Sequence, residues 1–235
     1  MSSSGTSLAS SDDPIDAFAD LVSRADDAIH VPSAALSIAR VEYPDLDVYA
    51  SLARLDELGE RAASQVDADP GDPLGTLNGF VFDELGFRGD REHYFDPRNS
   101  FLNDVVERRR GIPITLAVVH IELAAHAGIE IEGVGFPSHF LAREVATGRL
   151  VDCFEGGRIV DEADCRAILE RQGLGHTGLR PEFLATVGPR QILARMLNNL
   201  MRLYADVGSD ERLARFQAMA AVLEAVDADG PGMVH

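Results

Sequence analysis

The chain has 235 residues, is 46% hydrophobic and carries a formal charge of −18. That length buries a substantial core without staples, and the charge excludes nucleic acid or an anionic membrane as the main partner, because phosphates would be repelled. Two cysteines, Cys153 and Cys165, make no disulfide framework. There is no basic-then-apolar leader and no apolar run near the ~20 residues of a membrane span, so a cytoplasmic protein is expected.

Residues 1–12 are rich in Ser, Gly and Asp and read as a disordered tail. A helical region, 13–86, follows. Its first helix carries Ile15, Phe18, Leu21 and Val22 at helical spacing, with Pro14 just inside the start. A second helix runs from about Ser33 to Val41, and a third begins near Asp45 with Val48, Leu52, Leu55 and Leu58 in one stripe. The loop 67–73 contains Pro70, Gly71 and Pro73. A fourth helix, Leu74 to Leu85, ends at Gly86.

The core region is expected over 87–187. It opens with a turn-rich loop, 87–100, and a short helix, Phe101 to Arg109. A helix from Pro113 to Ala127 is apolar around much of its surface, which places it at the centre of the fold. Pro113 suits its first turn and Gly128 the left-handed position after its end. The period then becomes two: Ile129–Phe136, Phe140–Val145 and Arg149–Phe154 read as strands, the last two as a hairpin. Asp161 to Gln172 is a helix with an acidic opening. A helical pair, about Pro189 to Asp206 and Asp210 to Val226, fills 188–226, and 227–235 reads as a loose tail. The expected class is α+β, with a helical N-terminal lobe, a buried helix on a small antiparallel sheet and a C-terminal helical pair.

Candidate chemistry follows from this order. In a hairpin, His139 and Asp152 lie on neighbouring strands and can pair. An Asp on one imidazole nitrogen fixes the tautomer and raises the basicity of the other. The plain alternative is a buried hydrogen bond that only ties two strands. A nucleophile at the start of the central helix would face that imidazole, favoured as a thiolate by the positive helix end.

The stretches Gly86-Phe-Arg-Gly-Asp90, Tyr94-Phe-Asp-Pro-Arg-Asn-Ser100, Arg109-Arg-Gly-Ile-Pro-Ile-Thr115, Glu132-Gly-Val-Gly-Phe-Pro137 and His139-Phe-Leu141 resemble the SirB family of transglutaminase-like, tetratricopeptide-repeat-associated proteins. The resemblance implies a papain-like transglutaminase core: a Cys opening a buried helix, a His on a strand, an Asp on the next. Two departures stand out, Pro137-Ser-His139 for the usual Pro-Gly-His and Asp152-Cys-Phe154 for the usual Asp-Pro-Phe. The catalytic Cys position falls on Pro113 or Ile114, neither of which can attack a carbonyl. The resemblance therefore implies a retained His139–Asp152 pair without the enzyme's nucleophile.

The leading expectation is a protein- or peptide-binding module without catalysis. The rival is an acyl transferase or amide hydrolase using Cys153 or Thr115 with His139. Strand alternation turns Cys153 away from Asp152, and a Thr hydroxyl is a weak nucleophile. A third reading is a small-carboxylate site near Arg98 or Arg109. Asp96, Arg98, Asn99, Arg109 and Pro113 are the residues expected to line the cleft, although Asp96 and Asn99 also suit plain turn chemistry. The run Arg108-Arg-Arg110 reads as ion-paired. Glu122 and His126 are one helical turn apart with His120 nearby, but no His-Glu-x-x-His pattern or full ligand set is present. No metal and no cofactor are expected.

Overall fold

The computed structural model describes residues 13–229, so the expected tail 1–12 and most of 227–235 fall outside the described residues. Helix α1 (Pro14–Val22) starts at Asp13, whose side chain accepts from the Ile15 N–H at 2.8 Å. Helix α2 (Val31–Ala39) is buried from Ala34 to Ala39, whereas α3 (Val48–Ala68) buries one stripe, Leu55, Leu58, Ala62 and Val66. The single helix expected over 74–85 is α4 (Pro73–Asn78) running into a π-helical turn over Gly79–Glu84. The change of pitch follows Asn78, whose amide donates to Gly157 O at 2.9 Å.

Helix α5 (Leu102–Arg108) stops at Arg109 in the left-handed conformation, φ 59°. The parallel pair β1 (Arg88–Gly89) and β2 (Arg110–Gly111) comes before the central helix α6 (Pro113–His126). An antiparallel sheet follows: β3 (Ile131–Val134), β4 (Leu141–Glu144), β5 (Leu150–Asp152), β6 (Arg158–Val160) and β7 (Thr186–Val187), in the order β6-β5-β4-β3-β7. The short strands β1, β2, β6 and β7 were not expected, because two or three residues carry no readable alternation. Helix α7 (Glu162–Arg171) begins with a reciprocal Asp161–Asp164 capping box. The chain closes with α8 (Pro189–Asp206) and α9 (Asp210–Asp229), the latter running three residues past the expected end at Val226.

The sheet divides two cores by alternation. Phe140, Ala142, Val151 and Cys153 join the main core with α6, α2, α3, α8 and α9. Leu141, Leu150 and Val160 face the other way, onto Ile168 and Leu169 of α7. Each fully buried Leu or Phe contributes roughly 1.5–3 kcal/mol. The α+β class therefore holds. No helix among the described residues is long and apolar enough to cross a membrane.

Candidate functional site

The motifs at 86–90 and 109–115 meet in space. Arg88 N donates to Arg109 O at 3.0 Å and Asp90 N to Gly111 O at 3.2 Å, which joins the loop 87–100 to the approach of α6. Asn99 is fully buried; its amide donates to His93 O at 2.7 Å, and its own carbonyl accepts from Ile112 N. Thr115 Oγ1 donates to that same Asn99 carbonyl at 2.7 Å. Gly111 is required here, since a Cβ would fall 2.8 Å from Thr115 Oγ1. Thr115 is thus a brace for the loop, fully buried and with its hydroxyl committed.

His139 lies in a bend two residues before β4, a correction to the strand expected to begin there. Register pairs Ala142 with Val151, so Asp152 at the end of β5 stands opposite Leu141, and His139 reaches it diagonally. His139 Nε2 lies 2.9 Å from Asp152 Oδ2, and both side chains are buried. The other carboxylate oxygen accepts from Phe154 N at 3.1 Å and Glu155 N at 3.2 Å. With Asp152 acting as acceptor, Nε2 carries the proton and Nδ1 is the nitrogen left for a partner. The Phe154 ring stands edge-on to the imidazole with centroids 6.2 Å apart. Ser138, immediately before, has φ 52°, the left-handed region that favours glycine. Arg195 of α8 fixes the same turn, donating to His139 O at 2.7 Å and to Phe136 O at 3.2 Å.

Cys153 is fully buried in the main core, and desolvation, helped by the neighbouring Asp152 charge, pushes its thiol well up. Burial likewise raises Cys165, to about 11, in the core under α7. Neither thiol stands in an electropositive, open setting where a thiolate forms.

A cleft of about 490 Å³ opens over His139. Pro113 and Ile114 line it from the head of α6, Ser138 and Phe140 from the His139 turn, and Tyr94 and Phe95 from the 87–100 loop. Opposite them stands one face of α8, with Arg195, Asn198, Asn199 and Arg202, and Ser100, Ile112 and Gln172 also reach the lining. Among the described residues no Asp or Glu lines this cleft, although the chain carries 39 of them. Arg195 spends its donors on neutral carbonyls and stacks over Phe140 at 5.3 Å, so its charge meets no carboxylate there. Sequence reasoning missed these α8 residues. Their spacing, 195, 198, 199 and 202, is a polar stripe along one helix face and was the available signal.

The other expected lining residues sit elsewhere. Asp96 caps the helical turn over Pro97–Asn99 and pairs with Arg98 at 2.6 Å, which holds its carboxyl below the usual range. Arg109 stacks on Phe87 with 4.6 Å to the ring centroid. Within the Arg108–Arg110 run, Arg108 reaches Asp90 at 3.5 Å and Asp96 at 3.8 Å. Of the five, Pro113 alone lines this cleft. His120 is separated from Glu122 and His126: it points into the core, donates to Asn78 Oδ1 at 2.8 Å, and burial lowers it to about 4.

The profile of the transglutaminase-like superfamily matches residues 49–198, and the chain belongs to that superfamily. Within it the chain belongs to the UPF0162 family. It is 42% identical to the UPF0162 protein of Xylella fastidiosa strain Temecula1, and 33% identical to UPF0162 protein PA3419 of Pseudomonas aeruginosa. Each alignment covers 81% of this chain and 70% of the relative. A more distant likeness, 28% over 59% of this chain and 23% of the relative, is to mouse F-box only protein 21. No solved structure gives a significant match.

Proposed function

We propose that this chain is a non-catalytic transglutaminase-like protein of the SirB type, whose cleft binds an acidic segment of a protein or peptide. The observation that carries this reading is the sign of the cleft. In a chain of charge −18, the α8 wall over His139 presents Arg195 and Arg202 with two amides and, among the described residues, no carboxylate. Such a local reversal attracts an acidic ligand and repels the protein's own surface. Tyr94 and Phe95, 37% and 74% exposed, offer aromatic contact at the lip. The pair α8–α9 would be the start of the family's tetratricopeptide-like material.

The absence of chemistry rests on Pro113 and Ile114 at the head of α6, where the enzymes' Cys is expected. The rival acyl-transfer reading requires a nucleophile at His139. It is disfavoured by the buried, strongly raised thiol of Cys153 and by the Thr115 hydroxyl bound to Asn99 O. The small-carboxylate reading at Arg98 or Arg109 is disfavoured by the Asp96 pair and the Phe87 stack.

Fluorescence anisotropy with Asp/Glu-rich peptides and their Lys/Arg-rich counterparts tests the proposal. Acidic peptides should bind in a salt-sensitive way and lose at least about tenfold in affinity with Arg202→Glu, a reversal at the cleft rim. Equal binding of both peptide sets, or indifference to Arg202→Glu, overturns it.

A further inference from the structure

A second cluster of chemically capable side chains lies away from the cleft, where α3 passes the C-terminal end of α6. His126 Nε2 stands 3.5 Å from Asp56 Oδ1 and 3.8 Å from Glu122 Oε1. One donor atom from each of the three falls within 4.8 Å of the others. Four donors around zinc at about 2.0–2.1 Å are separated by roughly 3.4 Å, so these spacings require only a small closure. His30, from the residue before α2, adds a fourth group: its Nε2 lies 3.1 Å from the same Glu122 oxygen, and its Nδ1 lies 2.7 Å from Ser33 Oγ.

We propose that His126, Glu122 and Asp56 form a binding site for a divalent transition metal of the zinc class, with His30 orienting the Glu122 carboxylate. The donor set selects the ion. Imidazole with carboxylates suits zinc and its neighbours, whereas magnesium and calcium prefer oxygen donors alone.

Several features of the fold support the site. Glu122 and His126 occupy one face of α6, a turn apart, so both point at α3. Asp56 and Gly59 share the facing side of α3, and Gly59 makes room for the imidazole: a Cβ there would fall 2.4 Å from His126 Cγ and Cδ2. His126 is the last residue of α6, where the negative end of the helix dipole favours a cation. The His30 bond to Ser33 and Glu122 is the kind of outer support that sets a ligand's orientation. Asp56 is 57% exposed, so water completes the coordination and the ion has an entry path. The bound ion would clamp α3 to α6 behind the sheet and leave the His139 cleft untouched.

The test is titration of the chelator-treated, full-length protein with Zn²⁺ by calorimetry, with Co²⁺ as an optical probe. One equivalent of Zn²⁺ should bind and raise the melting temperature. Glu122→Gln and His126→Gln should each weaken binding by more than about a hundredfold, and His30→Gln by about tenfold. Asp56→Asn alters an exposed side chain, so it keeps the fold and should also lose most of the affinity. The Co²⁺ spectrum should lack a thiolate charge-transfer band. The proposal is overturned if the wild type shows no saturable uptake, if Asp56→Asn and Glu122→Gln bind as tightly as wild type, or if the Co²⁺ band reports a thiolate.

Discussion

Asp152 and Cys153 are neighbours in the chain that serve opposite sides of one strand end. The carboxylate meets His139 at 2.9 Å, while the thiol is buried in the main core with Val151 and Ala142. The sole thiol next to the imidazole's partner is thereby removed from the imidazole itself. Alkylation of native Cys153 should be slow from pH 6 to 9 and unchanged in His139→Ala, as read by mass spectrometry. Rapid labelling lost in the His139 variant would restore the acyl-transfer reading.

Ser138 carries a left-handed φ of 52° directly before His139. A non-glycine residue there costs about 1 kcal/mol. Ser138→Gly should raise the urea midpoint, by roughly 0.5–1 kcal/mol in stability, while Ser138→Val should lower it. Denaturant melts of the three proteins decide this, and peptide affinity should change little in Ser138→Gly.

Thr115 ties α6 to the loop 87–100 through Asn99 O. Thr115→Val keeps the shape and leaves that carbonyl with the Ile112 N–H alone. A stability loss of roughly 1–2 kcal/mol is expected, with peptide binding retained once the protein is folded. Selective loss of binding without loss of stability would instead place Thr115 at the ligand.

His120 is buried neutral, lowered to about 4 by desolvation. An unfolded histidine titrates near 6.5, so between these values the unfolded state binds the extra proton. Its contribution is therefore complete above pH ~6.5 and is lost as pH falls toward 4, up to about 3 kcal/mol. Stability curves for wild type and His120→Gln should converge as pH drops from 7 to 4.5. Parallel curves would contradict the assignment.

The sequence made the central helix, the hairpin and the His139–Asp152 pair legible, because periodicity and the order helix, strand, strand are local properties. It also suggested that Cys153 turns away, since alternation is fixed by the backbone. It could not place Arg195 and Arg202 over His139, because nothing local says which face of α8 meets a turn some 56 residues earlier. Asp96, Arg98 and Asn99 looked like cleft residues for the reason that they are polar in an ordered loop. Asp96 and Asn99 instead turn inward to cap and brace that loop, and Arg98 stays exposed while it pairs with Asp96. Glu122 and His126 were visible as a helical pair, but Asp56 and His30 join them only through the packing of α3 and α2 on α6.

The most direct test of the binding account is to incubate the protein with an acidic peptide that it binds and to follow both by mass spectrometry over hours. A cleft that only binds yields a complex from which peptide and protein are recovered at unchanged mass, in wild type and in His139→Ala alike. Cleavage, deamidation or transfer of the peptide that disappears in His139→Ala would contradict it.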